Sequence, residues 1–134
     1  MEQELLENLI IDEFTSLCTH HGNPEQTAMA AMRQMKEHNI RHLPIIEDGE
    51  IKGIVTDREL NLVINSPENR ELKAKEIMIE EPYIVQAGTS LRNVVFEMSR
   101  KKIGSAIIEN FEGDKIGIFT SIDALNALVE LLQK

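Results

Sequence analysis

The chain runs twice through one pattern. The stretch IRHLPIIEDGEIKGIVTDREL (40–60) aligns with IGSAIIENFEGDKIGIFTSIDAL (103–125). Ile40 then matches Ile103, Ile45 matches Ile108, Gly53 matches Gly117, Thr56 matches Thr120, and Glu59 falls opposite Asp123. Between the matched Ile and Gly the second copy is longer by one residue, which the polar NFEGD turn can absorb, as surface loops do. A unit of roughly 60 residues buries its core poorly alone, so the two copies are expected to pack together.

The match continues upstream. Ala28, Ala31, Met32 and Met35 stand at i, i+3, i+4 and i+7, and Leu91, Val94, Val95 and Met98 repeat that spacing 63 residues later. Each set is one apolar face of an amphipathic helix. Asn23 as N-cap, Pro24 at the first helical position and Gln26 three residues after the cap are expected to start the first helix. Thr89 or Ser90 does so for the second. After each helix come two apolar runs around a polar turn, LPII-EDGE-IKGIV and SAII-ENFEGD-KIGIF, which read as strand hairpins. A last helix follows in each half, over about 57–65 and 121–132. The expected organisation is an N-terminal helix within 1–13, with Leu5, Leu6, Leu9 and Ile10 on one side, a first repeat at 14–66, a charged linker at 67–76 and a second repeat at 77–134. The class is mixed α/β, with the unit β-α-β-β-α present twice.

Composition narrows the function. A net charge of −9 argues against a nucleic-acid partner, because backbone binding depends on Lys and Arg neutralising phosphates. It also disfavours an anionic membrane surface. No apolar run approaches the ~20 residues of a membrane span, and the N-terminal segment lacks the basic and apolar regions of a signal peptide. With one cysteine, Cys18, the chain has no internal disulfide, which fits a reducing compartment. A cytoplasmic location is expected. Aromatics make up 4% of the residues and Trp is absent, so aliphatic side chains and six Met must fill the core.

Taken in order, IRHLPII and GIVTDREL in the first copy, then KEIMIEEPYIV, GTSLRNVVFEM, IGSAII and GIFTSIDAL in the second, resemble a tandem pair of cystathionine-β-synthase (CBS) domains, a Bateman module. The resemblance covers about residues 14–132. It implies that the two repeats pack through their sheets about a pseudo-twofold axis. It also implies two clefts that take adenosyl nucleotides (AMP, ADP, ATP or S-adenosylmethionine), and frequent dimerisation into a flat disc.

The same resemblance nominates site residues. The family's G-x-x-T-x-x-D segment offers Asp to the ribose hydroxyls and Thr to ribose or phosphate. The second copy matches it with Gly117, Thr120 and Asp123, while the first has Gly53, Thr56 and, in place of Asp, Glu59. A carboxylate suits a ribose diol because it accepts from both hydroxyls. Thr-x-x-Glu and Thr-x-x-Asp are also helix-capping patterns. Ligand contact is compatible with capping only if the carboxylate turns outward, away from the N-cap amide. In IRHLP, Arg41, His42 and Pro44 begin a strand beside the implied cleft. Arg41 and His42 are phosphate-type donors, and Arg58 stands at the start of the next helix. The second copy has Gly104 and Ser105 at the matching positions. Met78 and Tyr83, with the neighbouring apolar residues Ile77, Pro82 and Ile84, match the segment that lines the adenine slot. The FTSLCTHHGNPEQ stretch departs from the family's usual Met-Thr-x-x-Pro opening. The first site therefore carries cations and a substituted carboxylate, and the second the fuller ribose motif and few cations.

No catalytic or metal constellation stands out. His20 and His21 are adjacent, and neighbours on a strand face opposite ways. His38 and His42 straddle a helix end and a strand. C-x-x-C, H-E-x-x-H and P-loop motifs are all missing. Two non-enzymatic readings follow. One is a regulatory sensor that binds an adenine nucleotide, with no cofactor required, and passes occupancy to an effector protein. The other is a structural dimerisation module with degenerate clefts. A homodimer is expected in either case.

Overall fold

The computed structural model describes residues 6–133. In chain order the first elements are β1 (Ser16–Leu17), α1 (Ala28–Glu37), β2 (His42–Glu47), β3 (Glu50–Thr56), α2 (Asp57–Ile64) and α3 (Ala74–Ile77). They are followed by β4 (Ile79–Glu80), β5 (Ile84–Gln86), α4 (Leu91–Lys101), β6 (Ser105–Phe111), β7 (Lys115–Thr120) and α5 (Ser121–Leu132). The chain forms two compact units. One is Thr19–Pro82, and the other joins the segment ending at Cys18 to the segment beginning at Tyr83. Their sheets run β2-β3-β4 and β1-β7-β6-β5.

In the unit Thr19–Pro82, Ala28, Ala31, Met32 and Met35 form the buried face of α1, as their spacing predicts. They pack with Leu43, Ile45 and Val55 of the hairpin, Leu60 of α2 and Ala74 of α3. In the other unit Leu91, Val94 and Met98 of α4 pack with Ala106, Ile108 and Phe119 of the hairpin, Ala127 of α5 and Ile11. Removing each larger aliphatic side chain from water contributes about 1.5–3 kcal/mol. The first hairpin closes through Asp48 and Gly49, both at positive φ (52° and 78°), the two-residue turn whose twist matches the strands. The second closes through a longer turn with Asn110, Glu112 and Gly113 at positive φ, and its register shifts between Ile108 and Phe111. The extra residue of the second repeat is taken up there.

Each sheet is completed by two residues from the opening of the other repeat. β1 pairs antiparallel with β7 (Leu17↔Gly117, Ser16↔Ile118), and β4 pairs with β3 (Glu80↔Gly53, Ile79↔Ile54). The paired glycines are thus opposite the incoming strand, and their bareness has a steric reason. A Cβ at Gly53 would lie 2.7 Å from the Ile79 carbonyl oxygen and 2.6 Å from Met78 Sδ. At Gly117 it would lie 2.4 Å from Thr15 Cγ2 and 3.0 Å from the Phe111 ring. Contacts therefore group 14–18 with the unit holding the second repeat, and the stretch 67–82 with the first, across the boundaries drawn from the repeat.

Three local expectations are corrected. Helix α1 starts at Thr27, whose Oγ1 accepts from Ala30 N–H at 3.1 Å, four residues past the expected cap. Asn23 and Gln26 do form the reciprocal pair their spacing suggested, but around an isolated turn: Asn23 Oδ1 accepts from Gln26 N–H at 3.0 Å and Asn23 N–H donates to Gln26 Oε1 at 2.8 Å. The strand opening the first repeat is reduced to Gly22, which donates to the Pro44 carbonyl at 2.8 Å and accepts from Ile46 N–H at 2.9 Å. Finally, the N-terminal helix does not continue to residue 13. Ile10 is extended (φ −103°, ψ 153°), and Ile11 N–H bonds to the Thr89 carbonyl at 2.8 Å, so a 3-10 turn over Ile11–Phe14 replaces it. Leu5, placed on that helix, lies outside the described residues. Of the two possible caps for α4, Ser90 is used, accepting from Asn93 N–H at 3.1 Å.

The segment after α2 is tied back by charge. Glu25 accepts from Lys73 Nζ at 2.7 Å and Lys75 Nζ at 2.8 Å. The hydrogen bond from Lys73, then that from Lys75, lowers the Glu25 carboxyl from 4.5 to about 2. A carboxyl depressed on folding stabilises above its unfolded value and loses that contribution as pH falls through its folded value. This surface clamp should therefore act above pH 4.5 and fade toward pH 2. An NMR titration should place Glu25 well below the other exposed glutamates, and Lys73→Ala should move it back up; an unchanged midpoint in the variant would contradict the clamp. For the glycines, Gly53→Ala should cost about 1–3 kcal/mol by overpacking. Gly104→Ala, where the nearest atom is Ser121 Oγ at 3.9 Å, should change stability by less than about 0.5 kcal/mol. Denaturant unfolding of the two variants checks this, and equal effects would refute the steric account.

Candidate functional site

Antiparallel pairing fixes where the candidate residues meet. In the unit Thr19–Pro82, His42 at the start of β2 is directly opposite Thr56 at the end of β3. Asp57 N–H, the first of α2, donates to the Arg41 carbonyl at 3.0 Å. Arg41, His42, Thr56, Arg58 and Glu59 are thereby gathered at one end of the sheet. The second unit repeats this arrangement: Ser105 is opposite Thr120, and Ser121 N–H donates to the Gly104 carbonyl at 3.0 Å. Gly104, Ser105, Thr120 and Asp123 form its corresponding edge. Asp57 and Ser121, whose amides lock each strand end to its helix, were not singled out from the sequence. Applying the repeat to the residue after each Thr would have found them.

Both carboxylates turn back to cap their helices. Thr120 N–H donates to Asp123 Oδ2 at 2.8 Å, Thr120 Oγ1 to the same oxygen at 3.0 Å, and Asp123 N–H to Thr120 Oγ1 at 3.3 Å. In the other unit Thr56 N–H donates to Glu59 Oε2 at 3.2 Å, and the Thr56 hydroxyl contacts that same oxygen. The inward geometry is the one the capping pattern predicts. It does not use up the carboxylates, because the bonds that each carboxylate accepts from its Thr converge on a single oxygen. The caps use Asp123 Oδ2 and Glu59 Oε2, and leave Asp123 Oδ1 and Glu59 Oε1 outside the capping bonds. Capping and acceptance from a diol can therefore share one side chain.

Charge is unequal between the edges. Arg41 and Arg58 are exposed and meet no carboxylate in an ion pair among the described residues. Their forked donors stand at the N-terminus of α2, where a helix dipole also favours an anion. His42 is half-buried. The second edge has Gly104 and Ser105 in place of Arg41 and His42. The nearby cation Lys101 is held 5.1 Å above the Tyr83 ring and 3.4 Å from Glu97. It is therefore engaged with Tyr83 and Glu97. Burial and the Glu97 charge push the Tyr83 hydroxyl up.

The remaining candidates lie away from these turns or within packed surroundings. Pro44 is fully buried, on the face of β2 opposite Leu43 and Ile45. Ile77 and Met78 pack against the core of the unit Thr19–Pro82, with Met78 against Gly53. Tyr83 packs partly against the core of its own unit. The structure also joins two histidines the sequence had left apart: the His20 and His38 rings stack at 3.6 Å, 13° from parallel. Among the described residues no group of three or more His, Cys, Asp or Glu could hold a metal ion, and no helix is long and apolar enough to cross a membrane.

These edges bear comparison with known proteins. The family model for the CBS domain matches residues 23–66 and 74–130. A CBS domain-containing protein of Dictyostelium discoideum is 28% identical over 123 residues, covering 83% of this chain and 85% of that protein. Of other curated relatives that it matches, the chain spans 20–55% of their length. Among solved structures, the CBS domain pair of protein MJ0100, in complex with 5′-methylthioadenosine and S-adenosyl-L-methionine, superposes with a TM-score of 0.78 at 22% identity, covering 90% of this chain and 96% of that one. CBSX2 in complex with AMP gives 0.74 at 21% identity, over 92% and 98%. At such identities the likeness is of fold.

Helix capping at the two turns is directly testable. Thr120→Ala should lower stability by about 0.5–2 kcal/mol. Thr120→Ser, which keeps the hydroxyl, should recover most of it. Urea unfolding measures both, and a Ser variant as weak as the Ala variant would remove the hydroxyl from the account.

Proposed function

The chain belongs to the CBS domain family, and we propose that it works as a non-catalytic regulatory module that binds an adenosyl nucleotide and passes occupancy to a partner protein. The observation that carries this reading is the doubled strand-to-helix turn. In each unit a Thr hydroxyl and a carboxylate with one oxygen outside the cap stand beside the start of a helix. A ribose diol needs that acceptor, and each charge-assisted hydrogen bond contributes roughly 1.5–3 kcal/mol, about ten- to a hundredfold in affinity. The adenosyl ligands of MJ0100 and CBSX2 support the same class of ligand here.

The two edges divide the work. Arg41, His42 and Arg58 suit a phosphorylated nucleotide at the Thr56–Glu59 turn. Thr120 and Asp123, with no arginine at the matching positions, suit an adenosine-like ligand such as 5′-methylthioadenosine. Glu59 is one methylene longer than Asp123, and its capping bond is the longer, 3.2 Å against 2.8 Å.

Titration calorimetry with AMP and 5′-methylthioadenosine tests the division. Arg41→Ala and Glu59→Ala should each weaken AMP by about ten- to a hundredfold. Asp123→Ala should weaken 5′-methylthioadenosine by a similar factor while changing AMP little. Equal losses of AMP in Glu59→Ala and Asp123→Ala would sink the assignment. The broader proposal is tested by melting the protein with AMP, ADP, ATP, S-adenosylmethionine and NAD. A ligand at a hundred times its dissociation constant adds about 2.7 kcal/mol. No shift with any of them would favour a purely structural module.

A further inference from the structure

The helix pairs that correspond in the two repeats are not filled to the same depth. Where α1 meets α2, Met32 and Leu60 are buried and Val63 packs against the same core. Carried through the repeat, these three residues become Val95 of α4 and Ala124 and Ala127 of α5. All three are smaller, and of the neighbouring positions Ala28, which becomes Leu91, runs the other way. Shorter side chains between two helices leave space, because the surroundings close in only partly. The space is present. A groove of about 630 Å³ lies between α4 and α5, with Val95, Ala124 and Ala127 in its walls and Leu6 and Leu9 along one side.

That volume is within the roughly 300–1,000 Å³ of small-molecule sites, which are mostly apolar with a few placed polar groups. The polar groups lining this groove are Glu7, Arg92 and Ser99. Arg92 Nη1 stands 3.5 Å from Glu7 Oε1, with the two side chains 72% and 48% exposed. So long and solvent-screened a pair is worth little, and opens readily to a ligand. It presents a donor and an acceptor side by side.

A hydroxyl or a carboxamide both donates and accepts, so it satisfies Glu7 and Arg92 together. A carboxylate would be set against Glu7, and an ammonium against Arg92, in each case like charge on like. Ser99 is two helical turns further along α4, about 10 Å from the level of Arg92. Over that length the walls are aliphatic and aromatic, with Val95 and Phe96 of α4 facing a row that includes Leu128 of α5. The groove therefore has one polar end and room for a medium-length hydrocarbon chain.

We infer that the α4–α5 groove binds an uncharged single-chain amphiphile, its hydroxyl or carboxamide at the Glu7–Arg92 pair and its chain running along α4 to the level of Ser99. The inference stands whether or not the turns at Thr56 and Thr120 bind a nucleotide. Displacement of Nile red, an uncharged fluorophore, from the full chain tests it. Hexanol, octanol and decanol should displace the dye, with affinity rising about three- to fourfold for each added methylene. Octanamide should match octanol, while octanoate and octylammonium should bind at least about tenfold more weakly. Ala124→Leu, which restores the bulk of Leu60, should abolish octanol binding, and Leu132→Ser, on the exposed end of α5 outside the groove, should leave it unchanged. Methyl NMR of the unaltered chain needs no variant to fold: octanol should give saturable shifts at Leu9, Val95 and Leu128. An absence of saturable dye binding would overturn the inference. So would charged and neutral amphiphiles binding equally, an Ala124→Leu chain that binds octanol like wild type, or methyl shifts confined to the unit Thr19–Pro82. Dye binding that falls as protein concentration rises would place a second copy of the chain over the groove, and would overturn it too.

Discussion

The arrangement rests on a backbone contact at two glycines. β3 and β7 each accept a two-residue strand from the opening of the other repeat, and both meet it at a glycine whose added Cβ would collide, at Gly53 with Met78 and the Ile79 carbonyl and at Gly117 with the Thr15 and Phe111 side chains. Because strand side chains alternate, fixing this register also fixes which face of the hairpin meets its core. Three residues beyond each glycine the strand ends at a Thr, and the helix begins at once. The place where Thr56 and Thr120 emerge is therefore set by a contact several residues away, within the sheet.

At those two ends the atoms that cap a helix are also the ones proposed to meet a ligand. A helix N-terminus has open N–H donors and a partial positive charge, so a Thr and a carboxylate stabilise it whatever else they do. What permits a second role is economy of acceptors: the cap engages one carboxylate oxygen and leaves the other. Divergence between the repeats then falls on what surrounds this shared element. Arg41 and His42 stand where the other repeat has Gly104 and Ser105, and the residue after the helix start is Arg58 in one and Ile122 in the other. At this element one repeat is thus cationic and the other uncharged, which makes the first edge the one that favours an anion.

Much of this was legible from sequence because it is periodic. The i, i+3, i+4, i+7 faces of α1 and α4, both hairpins and the helices after Thr56 and Thr120 follow from apolar spacing and turn residues. The Thr-x-x-Glu and Thr-x-x-Asp caps follow from local chemistry. What was not legible depends on contacts between residues distant in sequence. Ser16–Leu17 and Ile79–Glu80 are too short to carry an alternation, so nothing local says which hairpin they join. The start of α1 was misplaced because Asn23 and Gln26 form a real capping pair around a turn that goes no further. The N-terminal helix gives way at Leu9 and Ile10 because their backbone pairs with the residues around Ser90, a contact some 80 residues away in sequence. The stacking of His20 on His38 and of Lys101 on Tyr83 is tertiary for the same reason.

The strand-to-helix turns at Thr56 and Thr120 are proposed as ligand sites as well as caps. Amide chemical shifts of the isotopically labelled chain, followed during addition of AMP, test it most directly. The account predicts saturable shifts concentrated at Arg41–His42 and Thr56–Glu59, with those at Gly104–Ser105 and Thr120–Asp123 moving on addition of 5′-methylthioadenosine. Shifts absent with both ligands, or saturable shifts that leave all four segments unmoved, would contradict it.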